Sequence, residues 1–372
     1  MAARRIRVGI IFGGRSDEHD VSITSAHAIL NNIDRNRFEP VPIGITRDGA
    51  WVTGGDPLRQ LAATSRLPLP EVTGEGPAPG HDNPGTSLVE AEGSQELRDR
   101  SDTTWIQDLD VVFPVLHGPM GEDGTIQGML ELAGIPYVGS AVLGSAAAMD
   151  KVTAKRLCET ANLPIVPWIH FRRRDWQRDR EAVRSRIEQE IGYPCFVKPS
   201  NMGSSVGVYK VHGPEELADA VDGAGTYDRR LLVEKAVNGR ELEVSVLGND
   251  DPISSIVGEV VPGHEFYDYE AKYVDDSSEL LIPAPISPEI SDEVRRVAIE
   301  VFTLLDCAGL ARVDCFLERD TGEVFINEIN TIPGFTPISM YPKLWEASGI
   351  PYDELISRLI ELAIERQSEQ QL

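Results

Sequence analysis

The segment Ala311–Gly334, ARVDCFLERDTGEVFINEINTIPG, constrains this chain more than any other. It reads as a β-hairpin: an apolar strand to Leu317, a polar turn through Asp320 and Gly322, and a second strand, Val324–Asn330. Side chains alternate between the faces of a strand, so Arg312 and Asp314 share one face, and so do Glu328 and Asn330. A register that brings those faces together gathers an aspartate, a glutamate and an asparagine beside a guanidinium. Hard oxygen donors of that kind suit Mg²⁺, which takes one or two carboxylates and is completed by substrate phosphates. The alternative is an exposed hairpin face with ordinary polar side chains.

A chain of 372 residues has room for two or three domains, each with its own core. Its net charge of −25 argues against nucleic acid or an anionic membrane as a partner, since both need broad positive potential. Against that acidity stand only seven lysines, at 151, 155, 198, 210, 235, 272 and 343, so each is informative. Cys158, Cys195, Cys307 and Cys315 have no metal-ligand or redox spacing and read as core residues in a reducing compartment. The basic start passes through a short apolar run straight into Gly13-Gly14, which makes that run a first strand rather than a signal segment. No stretch is long and apolar enough for a transmembrane helix, and the expected location is cytoplasmic.

Val8–Phe12, Phe38–Thr46 and Val111–Leu116 read as strands with a helix from about Glu18 to Leu30, which predicts an open α/β unit at the start of the chain. Residues 54–104 hold seven Gly and six Pro with little periodicity, and read as a flexible, partly disordered insertion. A helix opens at Met149-Asp150-Lys151, and a charged helix spans Asp175–Ile191. Strand Cys195–Pro199, a glycine turn, strand Val208–Val211, a helix at Pro214–Ala220 and strand Leu231–Lys235 then suit a small α+β domain that closes over a ligand. Helices are expected at Pro288–Leu305 and Pro351–Gln367. The fold class is therefore α/β, with the small α+β unit between two larger ones.

Lys198-Pro-Ser-Asn-Met-Gly-Ser-Ser-Val-Gly207 joins a strand-end lysine to a small flexible loop, whose N–H groups and hydroxyls can surround phosphate oxygens. It is not a Walker A loop, for no Gly-Lys-Ser/Thr closes it. Gly13-Gly14 lacks the third glycine of the dinucleotide fingerprint. Glu234-Lys235-Ala-Val-Asn-Gly-Arg-Glu241 ends an apolar strand and can serve an adenine edge and a ribose, although a surface strand end explains it equally well.

Together these segments resemble the ATP-grasp ligases, and among them the D-alanine–D-alanine ligases. The resemblance is carried by Gly13-Gly-Arg-Ser-Asp-Glu18-His-Asp-Val-Ser22, His117-Gly-Pro-Met-Gly-Glu-Asp-Gly124, Met149-Asp-Lys151, and Lys198-Pro-Ser with Gly203-Ser204-Ser. It continues through Glu234-Lys235, Tyr267-Asp-Tyr-Glu-Ala-Lys-Tyr273, Arg312-Val-Asp314 and Glu328-Ile-Asn330-Thr-Ile-Pro-Gly334, then Ile338-Ser339. These run in family order over nearly the whole chain outside 54–104.

The resemblance implies ATP as co-substrate and two Mg²⁺ (or Mn²⁺) ions held by Asp314, Glu328 and Asn330. Lys151 and Lys198 would contact the ATP phosphates; Glu234, Lys235 and Val237 the adenine; and Glu241 the ribose. Glu18 would anchor the ammonium of a first D-alanine, against a reading from spacing alone as a helix-start carboxylate. His117 would touch substrate. Lys272 and Ser339 would bind the carboxylate of the second D-alanine, and Ser204 would link Glu18 to Tyr273 in a closed lid. Arg312 and the Gly334 N–H would donate to the oxyanion of a tetrahedral intermediate. The resemblance also implies three domains, 1–140, a central lid at 141–233, and 234–372 with a substrate-covering loop at about 262–280. The implied product is D-alanyl-D-alanine for peptidoglycan synthesis, and a homodimer is implied as well.

Tyr273 favours an amine as the second nucleophile. One group of D-alanine–D-lactate ligases carries a histidine instead of this lid tyrosine, and the depsipeptide reaction is the alternative. Met340 stands where leucine or tyrosine is expected near the second subsite. A catalytically silent nucleotide-binding protein is the remaining reading.

Overall fold

The computed structural model describes residues 4–65, 108–262 and 279–370. Lys272, Tyr273 and nearly all of the expected covering loop lie outside the described residues, as does the insertion beyond residue 65.

The first unit comprises β1 (Ile6–Gly13), α1 (His19–Asn32), β2 (Phe38–Ile45), β3 (Trp51–Val52), α2 (Pro57–Ala62), β4 (Val111–Val115) and α3 (Thr125–Leu132). Its sheet runs β3-β2-β1-β4, with β1 parallel to both β2 and β4. Both faces of such a sheet are covered, so Val8, Ile10, Ile11 and Phe12 are all fully buried. The start of the expected insertion is not structureless. Asp56 Oδ1 accepts the Arg59 N–H at 3.0 Å, Pro57 opens the helix, and the buried Leu61 pins α2 down.

The middle of the chain supplies α4 (Val142–Met149), α5 (Lys151–Thr160), β5 (Trp168–Arg172), α6 (Arg173–Arg178), α7 (Arg180–Glu190), β6 (Cys195–Pro199), β7 (Tyr209–Val211), α8 (Leu217–Tyr227) and β8 (Arg230–Lys235). The strands form an antiparallel sheet in the order β5-β8-β6-β7, packed on α6–α8 through Trp176, Ile187 and Val221. The charged helix expected at 175–191 is two helices. Asp179 breaks it, because its side chain accepts the Ala182 N–H at 3.0 Å and caps α7. The helix expected at 214–220 starts and ends later, as α8.

The last third holds β9 (Gly239–Gly248), β10 (Ile253–Val261), β11 (Glu279–Leu281), α9 (Pro288–Leu304), β12 (Gly309–Glu318), β13 (Val324–Asn330), α10 (Met340–Ala347) and α11 (Tyr352–Gln370). Its sheet order is β11-β10-β9-β12-β13. The apolar stripe of α9 packs with α4 and α5 on Val244, Val246 and Val313. Leu355, Leu359 and Ile360 of α11 instead join the core of Val8, Ile10 and Phe12, so the C-terminal helix closes the first sheet. Among the described residues no helix is long and apolar enough to cross a membrane.

Candidate active site

The hairpin pairs Arg312 with Asn330 and Asp314 with Glu328, so the four polar side chains share one face. A register shift follows Asp314, just beyond this set. The guanidinium of Arg312 donates from Nε and Nη2 to the two oxygens of Asp314, at 2.7 Å each, and its Nε lies 3.0 Å from Glu243 Oε2. Asn330 Nδ2 donates to Asp314 Oδ2 at 3.0 Å. Glu328 Oε2 lies 3.4 Å from Lys151 Nζ.

Lys151 begins α5, where Asp150 caps the helix by accepting the Thr153 N–H at 2.8 Å. Its Nζ also donates to the Met202 carbonyl at 2.7 Å, reaching into the glycine turn that follows Lys198. Asp150 anchors the start of that turn as well: its Oδ2 accepts from Asn201 Nδ2 at 2.8 Å and from Arg230 Nη1 at 2.7 Å. The turn carries two non-glycine residues with positive φ, Ser204 at 48° and Ser205 at 59°. That bend brings Ser204 Oγ to Glu18, to which it donates a short hydrogen bond.

Lys198 and Glu234 meet through the sheet. Glu234 stands opposite Phe196, so Lys198 is its diagonal neighbour on the same face. Lys198 Nζ lies 2.6 Å from Glu234 Oε2, and Lys155 Nζ lies 2.8 Å from Oε1. Burial alone would raise the Glu234 carboxyl, but the two lysines outweigh it and hold the group down at about 2. Burial likewise works against the charge of Lys198, while Glu234, Glu328 and Glu241 raise its pKa above the ordinary value. Lys235 is exposed, Val237 is half-buried, and Glu241 follows on β9, where it pairs with Phe316 of β12.

On the other side of the site, Glu18 is buried at the start of α1. Gly118, with φ +74°, has no room for a side chain: a Cβ there would lie 2.9 Å from Glu18 Oε2. His117 is buried at the end of β4. Its Nδ1 donates to the Ile332 carbonyl at 2.8 Å, and Ser25 Oγ lies 3.4 Å from its Nε2. Burial holds His117 below the ordinary histidine range, against the opposing charge of Glu18, so the ring is neutral near pH 7. Ser339 caps the approach to α10, with Oγ 2.7 Å from Thr336 Oγ1 and accepting the Thr336 N–H at 3.1 Å. A Cβ on Gly334 would stand 3.0 Å from that same Oγ, so Gly334 and Ser339 are neighbours.

Met340 opens α10 with its side chain turned into the core. Its side chain is 5% exposed and packs with Val260 and Leu344, its sulfur and methyl beside Gly258.

Three residues of the site escaped the sequence reading. Glu122 is buried and bridges distant loops, accepting the Gly118 N–H at 2.7 Å and the Ile332 N–H at 3.0 Å. Burial, then the charges of Glu18 and Glu328, push its carboxyl up to about 8 against those two amides. Glu243 meets Arg312 from β9, and Lys155 meets Glu234. Lys155 had a signal, the four-residue spacing from Lys151 that puts both on one helix face. A cavity of about 20 Å³ lined by Glu122, Lys151, Met202, Glu328 and Asn330 lies where these segments converge.

The arrangement joins two enclosed lysines that share Glu234, a face of hard oxygen donors and the buried carboxylate of Glu18. Comparison with known proteins gives it a family. Residues 7–140 match the model of the D-ala D-ala ligase N-terminus, and residues 157–361 that of the C-terminus. D-alanine–D-alanine ligases of Natranaerobius thermophilus and Acetivibrio thermocellus are 47% and 49% identical to it. The alignments cover 98% and 97% of this chain, and 97% and 96% of theirs. Among solved structures, the D-alanine–D-alanine ligase of Coxiella burnetii superposes with a TM-score of 0.78 at 34% identity, covering 99% of this chain and 97% of that one. A D-Ala:D-Ser ligase of Enterococcus faecalis gives 0.77 at 33%, covering 97% and 100%. The fold is thus that of an ATP-grasp ligase. More narrowly, the chain belongs to the D-alanine–D-alanine ligase family.

Proposed function

We propose that this chain joins two molecules of D-alanine into D-alanyl-D-alanine, with ATP converted to ADP and phosphate, for peptidoglycan synthesis. The observation that carries the reading is the convergence of Lys151, Lys198, Glu18 and the Asp314–Glu328–Asn330 face, drawn from all three sheets of the molecule.

Lys151 and Lys198 hold the phosphates of ATP, whose adenine lies along Glu234–Val237 and whose ribose meets Glu241. For Glu234 the contact would be through the backbone, because its carboxylate is already shared by two lysines. Glu18 anchors the ammonium of the first D-alanine, with His117 beside it. The carboxylate of that D-alanine attacks the γ-phosphorus, ADP leaves, and a D-alanyl phosphate forms. The amine of the second D-alanine, whose carboxylate Ser339 and Lys272 hold, adds to the acyl carbon. The oxyanion that forms is met by Arg312 and the Gly334 N–H, and phosphate leaves. Asp314 and Glu243 fix the guanidinium of Arg312 in advance, which is the preorganisation such a donor needs.

Asp314, Glu328 and Asn330 suit Mg²⁺ or Mn²⁺: two carboxylates and an amide on one face of the hairpin, with Lys151 beside Glu328. When bound, such ions would neutralise charge on the transferring phosphoryl group. The division into domains at 1–140, 141–233 and 234–372, closure through Ser204 and Tyr273, assembly as a homodimer and a cytoplasmic location belong to the same proposal.

The test is a product assay with D-alanine, ATP and Mg²⁺, with and without D-lactate near neutral pH. The dipeptide should form in both, with one ADP per bond made. Ester without dipeptide would replace this reading with the depsipeptide reaction, and no ADP at all would leave a nucleotide-binding protein.

A further inference from the structure

Lys155 has no task in the reaction just described, yet it is almost entirely enclosed, with a side-chain exposure of 4%. It lies one turn beyond Lys151 on α5 and meets the one oxygen of Glu234 that Lys198 does not use. A carboxylate given to Lys198 alone would cancel the charge of that lysine. Shared between two ammonium groups, it leaves the buried trio with one net positive charge (+1 −1 +1). Desolvating a second cation is costly where one already balances the carboxylate. Charge neutralisation of Glu234 therefore does not explain Lys155. An anion that arrives beside Lys198 does. Glu328 and Glu241 also act on Lys198, but Glu328 is itself paired with Lys151.

We propose that Lys155 is a positioning residue for ATP: it draws one oxygen of Glu234 to itself, so that Lys198 is held in place on β6 and keeps its charge for the phosphates. The inference rests on the reading of Lys198 as a phosphate contact.

The experiment compares KM for ATP and kcat in Lys155→Met, Lys155→Arg, Lys155→Met/Glu234→Gln and Lys198→Ala, after thermal melts have shown each variant folded. In Lys155→Met, Glu234 neutralises Lys198, so KM for ATP should rise about tenfold with kcat within about twofold of wild type. Lys155→Arg, which keeps the charge, should stay near wild type. Adding Glu234→Gln to Lys155→Met should lower KM for ATP again, to within about threefold of wild type, because no carboxylate then competes with the phosphates for Lys198. A role in stability alone would move the melting temperature and leave this pattern absent. An unchanged KM in Lys155→Met, or a raised KM that Glu234→Gln does not recover, overturns the proposal. If Lys198→Ala itself leaves KM for ATP unchanged, the phosphate reading of Lys198 fails instead. Should Lys155→Met not fold, Lys155→Gln carries the same expectations.

Discussion

Two buried glutamates, Glu122 and Glu234, meet opposite surroundings. Both lose hydration, which by itself raises a carboxyl pKa. Glu234 has a lysine on each oxygen and is driven down to about 2. Glu122 has a backbone amide on each oxygen but Glu18 and Glu328 for charged neighbours, and is pushed up to about 8. The difference teaches that the site is polarised. Its Lys155–Glu234–Lys198 side suits the phosphates of ATP, whereas its Glu18–Glu122–Glu328 side suits cationic groups, an ammonium or a divalent ion.

The largest expected effect lies on the cationic side. Glu234→Gln leaves two buried ammonium groups facing each other without their carboxylate, and should cost about 3–5 kcal/mol of unfolding free energy. Denaturant melts measure it, and a loss within about 1 kcal/mol would mean the trio is far less desolvated than its geometry requires.

A smaller effect, of opposite pH sense, belongs to Glu122. Its unfolded carboxyl titrates near 4.5, so between there and about 8 the folded protein binds a proton that the unfolded chain has released. Stability should therefore fall as pH rises through that window, and Glu122→Gln should flatten this part of the profile. Glu234, whose folded pKa is depressed, works in the other direction: its contribution is present above about 4.5 and is lost as pH falls towards about 2. Melting temperatures from about pH 2 to about pH 9 in both variants sharpen the comparison; a Glu122→Gln profile parallel to wild type would break it.

Much of this was legible in the chain, for identifiable reasons. The shared face of Arg312, Asp314, Glu328 and Asn330 follows from strand alternation once the hairpin register is known, and that register pairs them as expected. Lys198, Lys151 and the Ser204 loop sit at element ends, where sequence punctuation is strongest. Glu122 was not legible as a site residue, because its partner Ile332 lies 210 positions away and only the tertiary fold joins them. The packing of α11 on the first sheet is likewise a long-range outcome that an apolar stripe cannot specify. Asp179 and Asp56, by contrast, were readable as capping residues, and the Asp179 cap is what divides the helix expected at 175–191. The burial of the Met340 side chain was not legible, because proximity in sequence to Ser339 says nothing about which side of α10 faces the core.

The polarity itself is tested most directly by measuring KM for ATP and KM for D-alanine in two single variants, Lys198→Ala and Glu18→Gln. Lys198→Ala should raise KM for ATP by about tenfold or more and leave that for D-alanine within about twofold, while Glu18→Gln should do the reverse. Both variants shifting both constants equally, or the effects falling on the opposite substrates, would contradict a site divided in this way.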